Sequence, residues 1–356
     1  MAGKASRNAS QTASKNTSKT ASENASKSSL SGHSALVTGG SRGLGLLIAA
    51  RLAHRGCRVT ILARDAEELE RAAQWIEDRT GTAVGTEVCD VRDAAAVAET
   101  VGRVSAEQHG LDVVVANAGV IQVAPVTALD APVFQDAMST IFGGAVHVSL
   151  AALPHLRESA DGGRLAVIGS VGALLSVPHL LPYSCAKAAV GALGEGLRSE
   201  LAGTGVSVTT VHPGLMRTGS HGQAEFGGQA SREFGWFSAI AGTPVVSMDA
   251  ERAAERIIRA MERRRTRLVL TPAAHAASLA HGVAPTLVTR LSGLANRLLP
   301  DAPDTGEGAG MRQGHSLQGA PRKAWAERIR RWGSALNDRA ARRYNEVVPG
   351  PPTSAS

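Results

Sequence analysis

Three residues, Ser170, Tyr183 and Lys187, have the chemistry needed to bind an oxygen and move a proton. Tyr183 and Lys187 stand four positions apart, so on a helix they lie one turn apart on the same face. A phenol with a pKa of about 10 exchanges protons poorly at neutral pH. A neighbouring ammonium favours the phenolate and lowers that pKa. The Ser170 hydroxyl can hold a carbonyl or alcohol oxygen, so these three residues are candidates for acid–base catalysis.

A second cluster is typical of anion binding and spans Thr38–Gly45, with the sequence TGGSRGLG. It stands between a short apolar run and a helical pattern. Glycines permit a tight turn, and the free N–H groups and dipole at a helix N-terminus attract a pyrophosphate. The alternative is a turn that only connects strand to helix. We expect a dinucleotide to contact Gly39, Ser41, Arg42, Gly43, Leu44 and Gly45.

The choice of dinucleotide can be predicted from the end of the next apolar run. Enzymes that use NAD usually place an acidic residue there to bind the ribose 2′-hydroxyl. Here Ala63 fills that position and Arg64 follows it. The Arg64 guanidinium suits a 2′-phosphate, and Arg42 can reach the same group. We therefore expect NADP(H) to be favoured over NAD(H), unless both arginines are simply solvated surface groups.

Short apolar runs alternate with helical patterns from Ser34 onward, which is typical of a parallel sheet covered by helices on both faces. The sequence therefore predicts an α/β, doubly wound parallel sheet whose ligands lie beyond the carboxyl ends of the strands. The predicted strands are Ala35–Thr38, Val59–Ala63, Ala83–Val88, Val113–Ala116, Leu165–Ile168, Val206–Val211 and Thr266–Leu270. The predicted helices between them are Leu44–His54, Glu67–Arg79, Ala94–Gln108, a long helix near Pro132–Arg157, Cys185–Leu201 and Ala250–Arg263.

Taken together, these motifs resemble the short-chain dehydrogenase/reductase family over roughly residues 33–270, which implies a Rossmann fold. The matching pieces are Thr38–Gly45, Asp90-Val91, Asn117-Ala118-Gly119, Ser170, Tyr183-Ser-Cys-Ala-Lys187 and Pro213-Gly214-Leu215-Met216-Arg217-Thr218. The resemblance implies that Asp90 contacts the adenine, with Val91, Ala118, Gly119, Pro213 and Gly214 also beside the cofactor. It implies further that Asn117 lies by the cofactor, Lys187 holds the nicotinamide ribose and Thr218 the carboxamide. Tyr183 would donate and accept the proton, and Ser170 would orient the substrate.

One position departs from the family pattern. The family usually carries an asparagine in the long helix after the fourth strand, where it helps to hold a water that links the lysine to solvent. That position falls on Ile141, which cannot bind water. The proton must then use another group or a directly admitted water. The alternative is a weakly active or inactive protein that senses nucleotides.

These features predict reversible hydride transfer between a nicotinamide and a carbonyl or secondary alcohol. The expected substrate is apolar, of an acyl, lipid-like or steroid-like kind, although packing alone could explain the same residues. The lining expected for it consists of Val171, Leu174, Leu175, Val177, Leu180 and Met216, with an aromatic flap over Phe226–Phe237.

The charge of the chain is concentrated at its ends. The formal charge is +7, of which residues 1–32 carry +4 and residues 301–356 carry +3, so the central body is neutral. This distribution gives no sign of nucleic-acid binding. Three widely spaced cysteines, Cys57, Cys89 and Cys185, match no zinc pattern and suggest a reducing compartment without a structural metal. We expect a cytoplasmic homo-oligomer, because the long helices after the fourth and fifth strands often form subunit contacts in this family.

Five segments are expected along the chain. Residues 1–32 contain a Ser-rich octapeptide repeat with nothing to bury and predict a disordered leader. Residues 33–271 form the main catalytic domain and residues 272–300 a packed helical extension. Residues 301–320 predict a flexible linker, and residues 321–356 a basic amphipathic helix and tail that docks on the body. Membrane contact by the extension or the tail is a lesser alternative.

Overall fold

Seven apolar runs form one parallel sheet in a computed structural model, which describes residues 29–243, 247–301, 310–317 and 335–346. The predicted leader therefore lies outside the described residues up to residue 28. The strands of the sheet are β1 Ser34–Thr38, β2 Arg58–Ala63, β3 Gly85–Val88, β4 Val113–Ala116, β5 Arg164–Ile168, β6 Ser207–His212 and β7 Arg267–Val269. Their spatial order is β7-β6-β5-β4-β1-β2-β3, and every neighbouring pair is parallel. This order confirms the predicted doubly wound sheet.

Helices cover both faces of the sheet, since every connection crosses from one strand to a parallel one. The helices of seven or more residues in the described part of the chain are α1 Gly43–His54, α2 Ala66–Thr80, α3 Ala94–Glu107, α4 Ala131–Ala137, α5 Gly144–Glu158, α6 Leu181–Glu200, α7 Ala230–Gly242, α8 Ala250–Glu262, α9 Pro272–Val283 and α10 Pro285–Asn296. One core joins α1, α2 and α8 to the sheet. The other joins α3, α5 and α6 to its opposite face.

The predicted long helix is continuous through α4 and α5, with the π-helix Met138–Gly143 between them. π-helical turns are rare and frequently mark functional sites. Among the described helices, this stretch of 28 residues is the one long and apolar enough to cross a membrane. Val148, Ala152 and Leu156 are buried in the core beside the sheet, however, which explains the apolar composition by packing.

Part of the predicted flexible linker is folded. Arg312–Gln313 pairs antiparallel with the strand Glu225–Phe226, and the Gly314 N–H donates to the Ala224 carbonyl at 2.8 Å. Leu317 is fully buried beside the aromatic residues of α7. Residues 310–317 therefore close the body next to the cleft described below, whereas residues 302–309 lie outside the described part.

The extension after the sheet is helical but little packed. Only Ala274 of α9 is buried, and no residue of α10 is. This differs from the packed extension expected from the sequence, because an Ala-rich, charge-free stretch looks the same whether it is covered or not. The large apolar side chains that α9, α10 and the residues just after them expose are Leu279, Val283, Leu287, Leu291, Leu294 and Leu298.

The close approach of α6 to the sheet depends on Gly194. A Cβ at this position would collide with Thr210 Oγ1 and Val167 Cγ2, on β6 and β5. We expect Gly194→Ala to lower the free energy of unfolding by about 1–3 kcal/mol, because overpacking forces the helix outward. Gly196→Ala is the matched control, since nothing lies within 4 Å of a Cβ there. It should raise stability by about 0.5–1 kcal/mol. Urea unfolding measures both, and equal effects would contradict this account.

Candidate active site

A cleft of about 830 Å³ opens beyond the carboxyl ends of the central strands. The chain leaves β1 and β4 toward opposite sides of the sheet, so the loops after these strands separate and leave a crevice. Seventeen of the eighteen different residues predicted for cofactor and catalysis line this one cleft. They are Gly39, Ser41, Arg42, Leu44, Gly45, Arg64, Asp90, Val91, Asn117, Ala118, Gly119, Ser170, Tyr183, Lys187, Pro213, Gly214 and Thr218.

Gly43 is the one predicted contact that does not line the cleft. Its N–H donates to the Tyr344 carbonyl at 3.0 Å, so a distant segment of the chain covers it.

The glycine loop is held in place by the ends of β1 and β4. Asn117 Nδ2 donates to the carbonyls of Thr38 and Gly39 at 3.1 and 3.2 Å. The Thr38 hydroxyl in turn accepts from the N–H groups of Asn117 and Ala118. Gly39 has a φ of 62°, and a Cβ on Gly45 would collide with the Gly39 carbonyl. These contacts fix the loop as an anion cradle at the N-terminus of α1.

Two side chains of the glycine loop are bound by Glu68 on α2, a residue that the sequence analysis missed. The Ser41 hydroxyl donates to Glu68 Oε1 at 2.5 Å, and Arg42 Nη1 donates to Oε2 at 2.9 Å. Arg42 is therefore already paired, which weakens its expected role in binding a 2′-phosphate. Arg64 is exposed at the edge of the cleft and is the better placed of the two guanidinium groups.

Asp90, which is expected to contact the adenine, lines the cleft, and its carboxylate is bound by Arg92. Arg92 Nε and Nη2 donate to Asp90 Oδ2 at 2.9 and 2.6 Å. The hydrogen bond from Arg92 is the main cause that lowers the pKa of Asp90, and the charge of Arg64 adds to it. Asp90 therefore remains an ionised acceptor at neutral pH.

The three catalytic candidates converge at the opposite end of the cleft. Ser170 follows β5, where its hydroxyl accepts from the Gly172 N–H at 3.0 Å. Lys187 Nζ donates to the Ile168 carbonyl at 2.6 Å and lies 5.8 Å from the centroid of the Tyr183 ring. Parallel strand ends and one helix face have brought Ser170, Tyr183 and Lys187 together as the sequence predicts.

Burial controls the protonation of this group. It raises the pKa of Tyr183 above its usual value, and a hydrogen bond with Ser170 only partly offsets the effect. This direction is opposite to the lowering expected from a neighbouring ammonium. Burial also lowers the pKa of Lys187 to about 8, because the charged amine has lost its water. At neutral pH the phenol is therefore protonated, and the ammonium is easily deprotonated.

The isoleucine noted in the sequence lies beside this group. A Cβ on Gly119 would stand 3.5 Å from Ile141 Cγ1 and 3.7 Å from Lys187 Nζ, so both side chains border the same small space. Ile141 is almost fully buried within the π-helix. The adjacent Thr140 lines the cleft, and its buried hydroxyl has no hydrogen-bond partner among the described residues. Thr140 is thus a polar group near the position where the family pattern has an asparagine.

Most of the apolar residues expected to contact the substrate do not line this cleft. Of the six apolar residues named from the sequence, Met216 alone lines the cleft. Leu180 joins the expected aromatic flap in a separate core. In this core the Phe226 ring contacts the rings of Phe234 and Phe237, each edge to face. The flap residues therefore build a wall behind the cleft. The cleft itself also borders Val120, Ile121 and Ala224.

A buried hydrogen-bonded pair fastens this wall to the loop before α6. His179 Nδ1 lies 3.0 and 2.9 Å from the two carboxylate oxygens of Glu233, and Trp236 Nε1 donates to Glu233 Oε2 at 2.7 Å. The Glu233 side chain is fully buried. His179 also has a φ of 63°, a conformation that non-glycine residues rarely adopt. The loop that leads into α6 and Tyr183 is thereby held against α7.

Several residues that line the cleft were not predicted from the sequence. Thr140, Ser220, Gln223, Gln313 and Glu346 all line it. Ser220 and Gln223 follow the Pro213–Thr218 motif closely enough for its position to suggest them. Gln313 and Glu346 come from far along the chain, and no spacing rule could place them there.

The described residues contain no group of three or more His, Cys, Asp or Glu side chains that could hold a metal ion. Cys57 and Cys89 are buried and Cys185 is exposed, all three as free thiols.

Comparison with known proteins gives a consistent result. Residues 33–225 match the family model for short chain dehydrogenase. Gluconate 5-dehydrogenase of Gluconobacter oxydans is 34% identical over 190 residues, which cover 53% of this chain and 73% of that protein. Fatty acyl-CoA reductase of Acinetobacter baylyi is 29% identical over 280 residues, covering 77% and 88%. A short-chain dehydrogenase structure from Streptomyces avermitilis superposes with a TM-score of 0.62 at 28% identity, covering 75% of this chain and 98% of that one.

The His179–Glu233 pair should stabilise the wall behind the cleft. We expect His179→Leu to lower the free energy of unfolding by about 1–3 kcal/mol, because the buried Glu233 carboxyl loses one of its hydrogen-bond partners. The double variant His179→Leu with Glu233→Leu removes both polar groups of the pair and should recover part of that loss. Denaturant unfolding monitored by circular dichroism measures both. The pairing would be contradicted if the double variant lost more free energy of unfolding than His179→Leu and Glu233→Leu lose together.

Proposed function

Because the chain belongs to the short-chain dehydrogenase family, we propose that it is an NADP(H)-dependent oxidoreductase acting on a carbonyl or secondary alcohol. The observation that carries this proposal is the convergence of Ser170, Tyr183 and Lys187 at one end of a cleft whose other end is an anion cradle. Few other activities need both features in one crevice.

The residues of the cleft fit a dinucleotide along its whole length. Gly39, Ser41, Leu44 and Gly45 would hold the pyrophosphate, while Asp90 and Val91 would border the adenine. Asn117, Lys187 and Thr218 would hold the nicotinamide half. When bound, the nicotinamide supplies or accepts a hydride.

The protein's own contribution is to bind the substrate oxygen and to move a proton. In reduction, the Ser170 and Tyr183 hydroxyls bind the carbonyl oxygen as negative charge develops on it, which is a preorganised stabilisation. The Tyr183 phenol then gives its proton to that oxygen. Because burial raises the pKa of Tyr183, the protonated form needed for reduction dominates at neutral pH. Oxidation needs the phenolate, so its rate should rise with pH.

Lys187 assists both steps from beneath the phenol. Its ammonium stabilises the phenolate that forms in reduction, and its pKa of about 8 allows it to return a proton to that phenolate and to take up another from solvent. Ile141 cannot hold a water for this purpose. The Thr140 hydroxyl, which has no hydrogen-bond partner among the described residues, lines the cleft and is a polar substitute.

Preference for NADP(H) rests on charge at the ribose end. The last residue of β2 is Ala63 rather than an acidic residue, and Arg64 stands exposed beside the cleft. Asp65 also lines the cleft, but its carboxylate caps α2 by accepting from the Glu68 N–H. A guanidinium pairs well with a 2′-phosphate.

An acyl or other apolar carbonyl compound is the proposed substrate. The support comes from the apolar residues Val120, Ile121, Met216 and Ala224 at the cleft. The fatty acyl-CoA reductase of A. baylyi adds to it, because that match extends over 77% of the chain, beyond the family model. We also propose a cytoplasmic homo-oligomer, for which the free thiols Cys57 and Cys89 suit a reducing compartment.

A nucleotide-sensing protein with little turnover is the second candidate, favoured by Ile141 alone. Its cleft would bind the dinucleotide in the same way, and a partner interaction rather than catalysis would depend on it.

Tyr183→Phe separates the two candidates. An enzyme should lose at least about 100-fold in kcat, the usual contribution of a positioned acid, and should still bind NADPH. The exposed neighbour Cys185→Ala is the control for disturbance of α6 and should retain activity. Stopped-flow oxidation of NADPH with long-chain aldehydes or ketones measures the rates. Unchanged turnover in Tyr183→Phe would remove the catalytic assignment.

Arg64→Ala tests the choice of dinucleotide. Loss of a charge-assisted contact should weaken NADPH binding by about 10-fold or more, while NADH binding changes little. Arg157→Ala, an exposed arginine in the last turn of α5, removes the same charge from the opposite edge of the sheet. Nucleotide fluorescence titrations give the dissociation constants. Equal losses for both nucleotides would contradict a 2′-phosphate contact.

A further inference from the structure

The segment at residues 335–346, here called the C-terminal strap, is bound to the glycine loop. The Gly43 N–H donates to the Tyr344 carbonyl at 3.0 Å. Asn345 Nδ2 donates to the Ser41 carbonyl at 2.9 Å and to the Glu68 carbonyl at 3.1 Å. The strap therefore satisfies main-chain groups of the anion cradle itself, more than 290 positions away along the chain.

The strap is also fastened to the nicotinamide side of the cleft. Asn337 Oδ1 accepts from the Gly219 N–H at 2.9 Å, and Asp338 Oδ1 lies 2.9 Å from His221 Nε2. A Cβ on Gly219 would collide with the Ala341 main chain, so the two segments are in close contact. The strap thus bridges the loops on both sides of the cleft opening.

Glu346 places a carboxyl group inside the cradle. Its side chain is 3% exposed and lines the same cleft as Gly45, Tyr183 and Lys187. Oε1 lies 2.5 Å from the position that a Cβ on Gly43 would take, hence directly against the start of α1. Oε2 is buried and has no hydrogen-bond partner among the described residues. One cationic group, Arg42 Nε, stands 3.6 Å from Oε2.

The charged groups around Glu346 do not neutralise the negative charge of its carboxylate. Arg42 faces it from the glycine loop, but Arg42 also pairs with Glu68 of α2, which adds a second negative charge. The other strap contact nearby, Gln223 Nε2 to the Glu346 carbonyl, is neutral. Burial is the main cause that raises the pKa of Glu346 to about 7; Arg42 lowers it and Glu68 raises it. The Glu346 carboxyl is therefore partly protonated at neutral pH before any phosphate binds.

We propose that Glu346 is a residue of the cofactor site and that the dinucleotide binds beside its uncharged carboxyl, taking up a proton as it does so. This proposal rests on the proposed function, because it assumes that the cradle receives a pyrophosphate. A second anion at the N-terminus of α1 would repel an ionised Glu346 in a site with little water. The uncharged carboxyl instead offers an O–H donor, which the unpartnered Oε2 can direct to a phosphate oxygen.

The sign of the pH dependence follows from this geometry. The phosphate anion favours the protonated carboxyl, so the pKa of Glu346 rises further in the complex. Binding takes up a proton wherever the free protein has lost it, and affinity falls as pH rises above about 7. A strap that simply left the site would expose Glu346 to solvent, lower its pKa and release a proton instead. Proton uptake and proton release thus separate a shared site from a displaced strap.

The test is calorimetric titration of the full chain with NADPH and with NADH between pH 7 and 9, in buffers of different ionisation enthalpy. The wild-type dissociation constant should rise by about fivefold or more over this range, with net proton uptake. Glu346→Gln keeps the shape and remains uncharged. It should bind more tightly than the wild type at pH 9, with the pH dependence and proton uptake reduced. Because Lys187 also titrates in the cleft, the difference between wild type and Glu346→Gln is the quantity that counts.

Glu200→Gln is the matched control, since Glu200 is exposed at the far end of α6 from Tyr183. It should behave as the wild type does. Equal affinities and equal proton uptake in wild type and Glu346→Gln, with nucleotide bound, would overturn the role of Glu346 and leave the proposed function intact. Proton release on binding would overturn it as well. No binding of either nucleotide to wild type or Glu346→Gln would overturn the proposed function, and this proposal with it.

Discussion

The strand order reverses between β1 and β4, and the cleft exists because of this reversal. Each connection between parallel strands is right-handed. The two loops that follow these neighbouring strands therefore turn to opposite faces of the sheet. No packed core can fill the gap between them. Asn117 then ties the β4 end to the glycine loop through Thr38 and Gly39, which converts the gap into a cradle of fixed shape. The positions of α1, Ser170 and Tyr183 all depend on that arrangement.

Burial gives the cleft its electrostatic character. Tyr183, Lys187 and Glu346 are all enclosed, and in each the uncharged form is favoured: the pKa of Tyr183 and Glu346 is raised and that of Lys187 lowered. Such a site responds strongly to any new charge, since little water screens it. A negative charge that entered the cleft would therefore shift the pKa of each of these three groups directly.

The cleft is completed by chain that lies outside the family model. The strand Arg312–Gln313 extends a small sheet beside the aromatic wall, and residues 335–346 span the opening from Gly219 to the glycine loop. Both pieces are short and gain stability from the body they contact. The family fold thus carries the candidate catalytic residues, and the later residues Gln313 and Glu346 complete the lining of the cleft.

Local sequence determined the strands, the helices and the residues of chemistry, because each depends on neighbours within a few positions. Alternating apolar runs specify strands, a four-residue spacing places Tyr183 above Lys187, and glycines specify the turn into α1. The same reasoning placed Leu180 and the aromatic residues at a substrate pocket, although they form a separate core. An apolar side chain fits a pocket wall and a core equally well, so only packing could distinguish the two.

Tertiary structure decided everything that depends on contacts between distant segments. Glu68 occupies Arg42, Arg312–Gln313 folds where the sequence predicts a linker, and Glu346 enters the cradle. Glu68, Gln313 and Glu346 are polar residues in stretches whose composition is typical of solvent-exposed chain. Their roles arise only when the sheet brings its carboxyl edge within hydrogen-bonding distance of segments far along the chain, and no periodicity in the sequence records that distance.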